Sequence, residues 1–193
     1  MSQEHELKFA LEDETDYERL SASLGAPHER LEQRNFYLDS PGGRLRGARV
    51  MLRVRVTQTS SVLALKRQLA RPEDGYFRMY EEEVELHHPW RGDLEVLAQI
   101  PLVTQLAHDL GIECLVVVGE MQNLRLCYPR ESFLLELDRT LFPDGSVDFE
   151  IEAETDEPAV VADEIAMLCA SAGARFRPQT LSKFQRFLQR LKG

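Results

Sequence analysis

Six short segments of this chain carry a charged residue at about every second position, with apolar residues in between. They are residues 4–9, 51–56, 63–67, 81–86, 133–138 and 147–154. Successive side chains of a β-strand point to opposite faces of its sheet, so each segment, as a strand, has one apolar and one charged face. The alternation therefore predicts a sheet whose apolar face is covered by other elements and whose second face is lined with charge.

The charges on these faces are sorted by sign, with acids on some strands and Lys or Arg on others. One interpretation is a half-buried antiparallel sheet with its polar face in water. We favour a closed sheet with the charges inside, because solvated faces usually mix Thr, Ser and Gln with their charges. Such a tunnel suits a polyanion held by cationic side chains and divalent cations held by carboxylates. The residues concerned are Glu4, Glu6, Lys8, Arg53, Arg55, Lys66, Glu81, Glu83, Glu85, Glu136, Asp138, Asp148, Glu150, Glu152 and Glu154.

Length and composition limit the classes of protein to which this chain can belong. The 193 residues predict a single domain over 1–193. The net charge of −10 argues against sequence-independent nucleic-acid binding, which needs a basic surface. Apolar runs of membrane-spanning length and a signal peptide are both missing from the sequence. The three widely spaced cysteines indicate buried thiols in a reducing compartment, so we expect a cytoplasmic protein with no membrane partner.

The remaining segments predict helices and turns around the strands. Leucines at helical spacing predict a helical insert over 93–108 that Pro101 breaks or kinks. Further expected elements are a capping box at 15–18 with a helix to Leu24, a strand over 35–39, a strand over 114–118, a turn at Gly119-Glu120, a strand over 121–128, a surface loop at His87-His88, a helix over 158–172 and a last helix starting near Ser182.

A hairpin turn at 143–145 brings two acidic strands together. Glu136 and Asp138 then lie near Glu150 and Glu152 on the same face. Adjacent carboxylates repel, which raises their proton affinity or calls for a metal ion. The sequence shows neither a Ser-His-Asp arrangement nor a GxxxxGK[ST] phosphate loop, so its chemistry must come from charges and metal.

The order of several motifs resembles the CYTH superfamily, the triphosphate tunnel metalloenzymes. The motifs are Glu4-x-Glu6-x-Lys8 for ExExK, Gln33-Arg34-Asn35-Phe36-Tyr37-Leu38-Asp39-Ser40-Pro41, Leu45-Arg46, Leu52-Arg53-Val54-Arg55, Leu65-Lys66, Asn123-Leu124-Arg125, Leu137-Asp138, Phe149-Glu150-Ile151-Glu152 and Ser182-Lys183-Phe184. The Gln33-Arg34-Asn35, Asn123-Leu124-Arg125 and Asp156-Glu157-Pro158 features are most similar to the plant tripolyphosphatase branch. The resemblance implies an α+β fold: a closed antiparallel eight-stranded β-barrel with a charged interior, covered by helices.

The resemblance also implies a role for each charged residue. Lys8, Arg53, Arg55, Lys66, Arg125 and Lys183 would hold the triphosphate. Glu4, Glu6, Asp138, Glu150 and Glu152 would hold Mg²⁺ or Mn²⁺, which prefer hard oxygen ligands. Glu83, Glu85 and Glu136 could complete the metal shell or orient water. The residues expected to be catalytic are Glu4, Glu6, Lys8, Lys66 and Glu152.

Three functions share these residues. The leading hypothesis is metal-dependent hydrolysis of inorganic triphosphate to pyrophosphate and phosphate. The alternatives are hydrolysis of thiamine or nucleoside triphosphate, and a module that binds polyphosphate or nucleotide without turnover. Asn123 stands where many members carry a second Lys, so one positive charge is missing there. The His-Phe pair of the cyclase branch does not precede Glu4, and this absence argues against ATP cyclisation. We expect a small-molecule triphosphate partner and a monomer or homodimer.

Overall fold

Eight antiparallel strands close into a barrel in the computed structural model, which describes residues 2–87 and 89–191. The strands are β1 Ser2–Leu11, β2 Glu29–Asp39, β3 Val50–Val56, β4 Ser61–Gln68, β5 Tyr76–Glu85, β6 Val116–Pro129, β7 Leu134–Leu141 and β8 Val147–Glu154. The predicted α+β class and closed eight-stranded barrel are confirmed. His88, predicted to lie in a surface loop, is outside the described residues.

The barrel closes through β1, whose two halves pair with different strands. The strand order is β5-β4-β3-β2-β6-β7-β8-β1, and β1 pairs again with β5. Residues 2–7 of β1 pair with β5 and residues 6–10 pair with β8. A short strand that the sequence analysis missed, β9 (Phe176–Pro178), adds to the end of β1. Closure pairs the edge strands of the sheet and encloses its charged face.

Six helices accompany the strands in the described part of the chain. They are α1 Glu14–Leu24, α2 Arg44–Gly47, α3 Leu94–Ala98, α4 Pro101–Leu110, α5 Pro158–Ala172 and α6 Lys183–Arg190. Among these residues, none of the helices is long and apolar enough to cross a membrane.

The helices cover the outer apolar faces of the strands in two clusters. Leu20 of α1 and Ile165 of α5 belong to one cluster with the outward residues of β1, β7 and β8. Leu97 of α3 and Leu106 of α4 belong to a second cluster with the outward residues of β3 and β4. The predicted break at Pro101 is confirmed, since Pro101 is the first residue of α4.

Two local predictions were wrong. The N-cap of α1 is Asp13, whose carboxylate accepts the backbone N–H of Asp16, and the capping box at 15–18 is not formed. Gly119 and Glu120 do not form a turn, because β6 runs unbroken through both with an irregular register opposite Tyr37 and Leu38. A Cβ at Gly119 would come within 3.0 Å of Phe187, so this glycine serves close packing against α6.

One end of the barrel interior is apolar, which the charge pattern did not predict. Tyr37, Met51 and Met121 lie on the inward face and form a third cluster with Phe142 and with Phe187 of α6. Helix α6 therefore packs its apolar face against this end of the interior. The predicted charged face was based on charged residues alone, so neutral side chains at the same inward positions were overlooked.

The loop between β4 and β5 is joined to the middle of β1 by backbone contacts. The backbone N–H of Lys8 donates to the carbonyl of Gly75 at 2.8 Å. Gly75 has a φ of +84°, and a Cβ there would lie 2.4 Å from the Lys8 carbonyl oxygen. Only glycine allows both this backbone conformation and this close approach.

We therefore expect Gly75→Ala to destabilise the fold more than Gly145→Ala does. Gly145 has a similar φ of +83° but open space around its Cβ position. The left-handed conformation alone costs about 1–2 kcal/mol, and the backbone clash at Gly75 adds about 2 kcal/mol. Urea unfolding of both variants measures the difference. Equal losses in the free energy of unfolding would show that the close approach of residue 75 to the Lys8 backbone does not require glycine.

Candidate active site

A cavity of about 880 Å³ runs along the inside of the barrel. Most of its lining comes from alternate residues of the strands, as the period of a β-strand requires. From β3 and the residue before it, Arg49, Met51, Arg53 and Arg55 line the cavity in sequence. The remaining charged residues of the lining are Glu4, Glu6, Lys8, Arg46, Lys66, Arg71, Glu81, Glu83, Arg125, Glu136, Glu152, Glu154 and Lys183.

The ExExK residues of β1 form an ion-pair network with β4, β5 and β8. The Lys8 ammonium lies 2.9 Å from Glu6 and 2.7 Å from Glu152. The Lys66 ammonium contacts Glu4 and lies 3.6 Å from Glu6 and 3.2 Å from Glu81. Each buried charge thus has an opposite charge within reach, which offsets its loss of hydration.

Glu4 and Glu6, two carboxylates of this network, have very different pKa values. Burial and the negative charge of Glu6 raise the pKa of Glu4 to about 9. Burial also opposes ionisation of Glu6, but the nearby Lys66 and Lys8 lower its pKa to about 2. With this pKa the Glu4 carboxyl is protonated at neutral pH, because burial and the neighbouring carboxylates outweigh the charge of Lys66.

A second network surrounds Arg125 and Glu152. The Arg125 guanidinium donates to Asp138 at 2.9 and 2.6 Å and to Glu152 at 2.5 Å, and it also contacts Glu136. The Lys183 ammonium lies 3.0 Å from Glu152 and also contacts Asp138. Burial opposes the charge on Glu152, but Lys183, Lys8 and Arg125 hold its pKa well below the usual range.

Helix α6 is held in place by a buried arginine that the sequence analysis missed. The Arg186 side chain donates to Asp148 at 2.6 Å and to Glu150. Lys183, one turn earlier on the same helix, lies 2.6 Å from Glu150. Arg186 is 6 % exposed and Glu150 is fully buried. These pairs fix α6 on the barrel and so place Lys183 beside Glu152.

Two arginines of β3 have little compensation for their charge. Arg53 is 8 % exposed, and its Nε and Nη2 have no hydrogen-bond partner. Arg55 also has a buried Nε without a partner. The charge of Arg53, followed by burial, lowers the pKa of Arg55 to about 10. Neither arginine forms an ion pair within residues 2–87 and 89–191, so two buried guanidinium groups on this side of the cavity keep unsatisfied donors.

The structure brings most of the predicted site residues together. Asp138 and Glu150 lie behind the lining, fully buried. Glu85, predicted to share a face with Glu81 and Glu83, lies outside the cavity lining and is exposed. It ends β5, beyond the stretch of the strand that faces the cavity. The predicted residues that line the cavity are Glu4, Glu6, Lys8, Arg53, Arg55, Lys66, Glu83, Arg125, Glu136, Glu152 and Lys183.

Neutral polar residues of the lining were also missed. The Asn123 amide donates to Gln33 at 3.2 Å and accepts from Thr140 at 2.7 Å, so the inward side chains of three neighbouring strands are joined. Gln33 and Asn35 occupy alternate positions of β2, and this period could have identified them. Arg46, Arg49 and Arg71 lie in or beside loops, where no period applies.

The carboxylates fit a divalent metal ion. Oxygens of Asp138, Glu150 and Glu152 lie within 4.8 Å of one another, and carboxylate oxygen is the ligand that Mg²⁺ and Mn²⁺ prefer. The protonated Glu4 beside Glu6 is a second indication, since a cation there would compensate the surplus negative charge. Metal binding at Asp138 and Glu150 would have to replace the contacts that Arg125, Lys183 and Arg186 now make.

The anchoring of α6 gives a first prediction for this site. Arg186→Met leaves Asp148 and Glu150 with less compensation, so we expect a loss of about 3 kcal/mol in the free energy of unfolding. Adding Glu150→Gln to Arg186→Met should recover part of the loss. Urea unfolding of the single and double variants measures this coupling. Additive losses would show that the Arg186–Glu150 contact does not hold the helix.

The uncompensated arginines give a second prediction. Arg53→Met removes a buried charge that has no partner, so the ligand-free protein should gain about 1 kcal/mol of stability. The same change should weaken tripolyphosphate binding at least about tenfold, because a charged hydrogen-bond donor is lost. Thermal unfolding with and without tripolyphosphate, together with calorimetric titration, measures both effects. A destabilised variant with unchanged affinity contradicts an anion site at Arg53.

Comparison with known proteins identifies a matching domain family. The CYTH domain family matches residues 2–188. A comparison with curated protein sequences gives no match.

Solved structures share the architecture at low sequence identity. A Hippeastrum protein named as an adenylyl cyclase, and described as having a dominant triphosphatase activity, has a TM-score of 0.85 and 24% identity, with 96% of this chain and 95% of that chain covered. A Bacillus halodurans protein named as an adenylate cyclase has a TM-score of 0.68 and 21% identity, with 97% and 99% covered. An RNA triphosphatase of S. pombe has a TM-score of 0.50 and 13% identity, with 98% and 81% covered. With a family match over nearly its whole length and a closed barrel enclosing paired charges, this chain belongs to the CYTH domain family.

Proposed function

We propose that this protein hydrolyses inorganic triphosphate to pyrophosphate and phosphate with the help of Mg²⁺ or Mn²⁺. The observation that carries the proposal is one cavity whose lining contains both arginines without acidic partners and a group of closely spaced carboxylates. Arg53 and Arg55 lack acidic partners, while Glu4 is protonated beside Glu6. A metal-bound polyphosphate anion supplies the charges that both sides lack.

The cationic side chains have distinct tasks in this proposal. Arg53 and Arg55 bind phosphate oxygens with planar, bidentate guanidinium groups. Lys8, Lys66, Arg125 and Lys183 already pair with carboxylates, and they contribute charge at the border between phosphates and metal. Phosphoryl transfer suits such a site, because it depends on positioning and charge neutralisation more than on a covalent nucleophile.

The carboxylates would hold the metal ions. Glu4, Glu6 and Glu152 line the cavity and are the first candidates, with Asp138 and Glu150 behind them. When bound, the metal would neutralise phosphate charge and lower the pKa of a coordinated water. Glu152 contacts Lys8, Arg125 and Lys183, so it links the acidic and basic halves of the site. Glu83 and Glu136 lie within the same lining and could orient water.

An inorganic substrate fits the cavity better than an organic one. A base or thiamine group needs an open apolar surface. Tyr37 and Phe77, two inward aromatic residues of the strands, are both buried, and Tyr37 is covered by Phe184 and Phe187 of α6. Its ring lies 4.4 Å from that of Phe187 and 4.9 Å from that of Phe184. Helix α6 thus fills the apolar end of the interior that could otherwise stack against such a group. The triphosphatase activity described for the Hippeastrum protein agrees with hydrolysis.

The test is phosphate release from tripolyphosphate, ATP and thiamine triphosphate, with Mg²⁺, Mn²⁺ or EDTA. We expect tripolyphosphate to be cleaved fastest and EDTA to abolish turnover. Glu152→Gln should lower kcat about 100-fold, because it removes the charge that links the two halves of the site. Faster cleavage of ATP or thiamine triphosphate would instead identify an organic triphosphatase.

Glu85→Gln is the matched control, since Glu85 is an exposed acid of the barrel outside the cavity lining. Its turnover should stay within about twofold of the parent protein. A rise in melting temperature with tripolyphosphate shows whether Glu152→Gln still folds and binds. Absence of turnover with all three substrates, despite tripolyphosphate binding, would contradict the hydrolase proposal and indicate a binding module.

A further inference from the structure

Two lysines of the proposed site share one carboxylate oxygen, although they belong to opposite ends of the chain. The Lys8 ammonium of β1 lies 2.7 Å from Oε1 of Glu152, and the Lys183 ammonium of α6 lies 3.0 Å from the same atom. Two like charges beside one oxygen repel each other, so their arrangement depends on how firmly β1 and α6 are held relative to each other. The segment that leads into α6 is therefore relevant to the site.

The backbone of Lys8 is the point at which two other segments meet β1. Residues 2–7 of β1 pair with β5, and residues 9–11 pair with β9. Between these pairings, the Lys8 N–H donates to the carbonyl of Gly75, and the Lys8 carbonyl accepts the N–H of Gln179 at 2.9 Å. Gln179 directly follows β9, so the chain stays attached to β1 up to the residue at which it turns toward α6.

The Gln179 side chain fixes the turn that follows. It is 5 % exposed, and its amide oxygen accepts the backbone N–H of Thr180 at 3.1 Å and of Leu181 at 3.3 Å. A side-chain oxygen that accepts from the backbone just after it favours one turn conformation over the others. Gln179 therefore makes contacts on two sides, since its backbone holds β1 and its side chain holds the turn.

A capping box continues this order into α6. The Ser182 hydroxyl accepts the backbone N–H of Gln185 at 3.2 Å, and the Gln185 side chain accepts the N–H of Ser182 at 2.9 Å. Every backbone N–H of residues 179–182, which we call the α6 connector, is therefore hydrogen-bonded. Lys183 is the first residue of α6, so it directly follows a stretch of fixed backbone.

A fixed backbone matters for a lysine more than for most residues. The side chain of Lys183 is long and flexible, so its ammonium could reach Glu152 from several backbone positions. The α6 connector removes most of these alternatives before a ligand binds. Less conformational entropy is then lost on binding, and this saving appears as affinity.

We propose that Gln179 is a positioning residue, which sets the place of the Lys183 ammonium relative to Lys8 and thereby raises the affinity for triphosphate. The inference rests on the proposed function, in which both lysines contribute charge beside the phosphates. Gln179 itself lies outside the cavity lining, so it acts through Lys183. Loss of its side-chain oxygen frees the turn and lets Lys183 take several positions.

The test is a double-mutant cycle on tripolyphosphate binding, measured by calorimetric titration in EDTA, where no metal-dependent turnover occurs. Lys183→Met should weaken binding about tenfold, because a charged donor is lost. Gln179→Met keeps the volume of the side chain but removes its oxygen, and it should weaken binding about fivefold because Lys183 must then be ordered when the anion binds. In the Lys183→Met background, Gln179→Met should have no further effect on affinity.

Thr57→Ala is the matched control. The Thr57 hydroxyl oxygen also accepts two backbone N–H groups, those of Thr59 at 3.3 Å and of Ser60 at 3.0 Å, in a loop outside the cavity lining. Its removal should lower the melting temperature about as much as Gln179→Met does. The affinity of this control for tripolyphosphate should stay within about twofold of the parent protein.

Two outcomes would overturn the role of Gln179 alone. One is an unchanged affinity in Gln179→Met. The other is the same weakening by Gln179→Met with and without Lys183, which would show a structural effect that does not pass through the lysine. Gln179→Asn, whose oxygen is set back by one carbon, allows the same cycle if Gln179→Met is too unstable to titrate. Absence of tripolyphosphate binding in the parent protein would instead contradict the proposed function together with this inference.

Discussion

The structure depends on neutralising charge inside a closed barrel. Glu152 shows how this is done: Lys8, Arg125 and Lys183, from three different elements, surround one buried carboxylate. Removing any partner would leave a charge in a low-dielectric interior, which is costly. The ion pairs therefore tie β1, β6, β8 and α6 to one another. Compensation is incomplete at Arg53, whose buried donors lack partners, and at Glu4, whose pKa is raised, and these are the places where we propose that a ligand binds.

This incomplete compensation links stability to function. A fold selected for stability alone would replace Arg53 by an apolar residue, because its buried donors lack partners. The barrel tolerates it because the apolar faces of the strands are well covered by α1 and α5 on one side and by α3 and α4 on the other. The outer cores thus support an interior with incompletely compensated charges, to which we propose that an anion and a metal ion bind.

Helix α6 has a part in both properties. Its apolar face covers Tyr37 and Met121, while its polar face delivers Lys183 to Glu152 and Arg186 to Glu150. Lys183 was predicted to lie in the site and Arg186 was not, because nothing in the local sequence of a helical arginine indicates its partner far away in the chain. The neutral inward residues were missed for a related reason: Asn123 and Gln33 acquire their roles only through cross-strand pairing.

The identity of most charges on the inner face was predictable from the sequence alone, because a strand period of two assigns each residue to a face regardless of its distant neighbours. The sequence also predicted the break at Pro101, which has no backbone donor. The fold was needed to see which carboxylates are paired, which arginines lack partners among the described residues, and that Glu85 lies outside the cavity. Those outcomes depend on strand register, barrel closure and the position of α6, which are set by contacts between residues far apart in the chain.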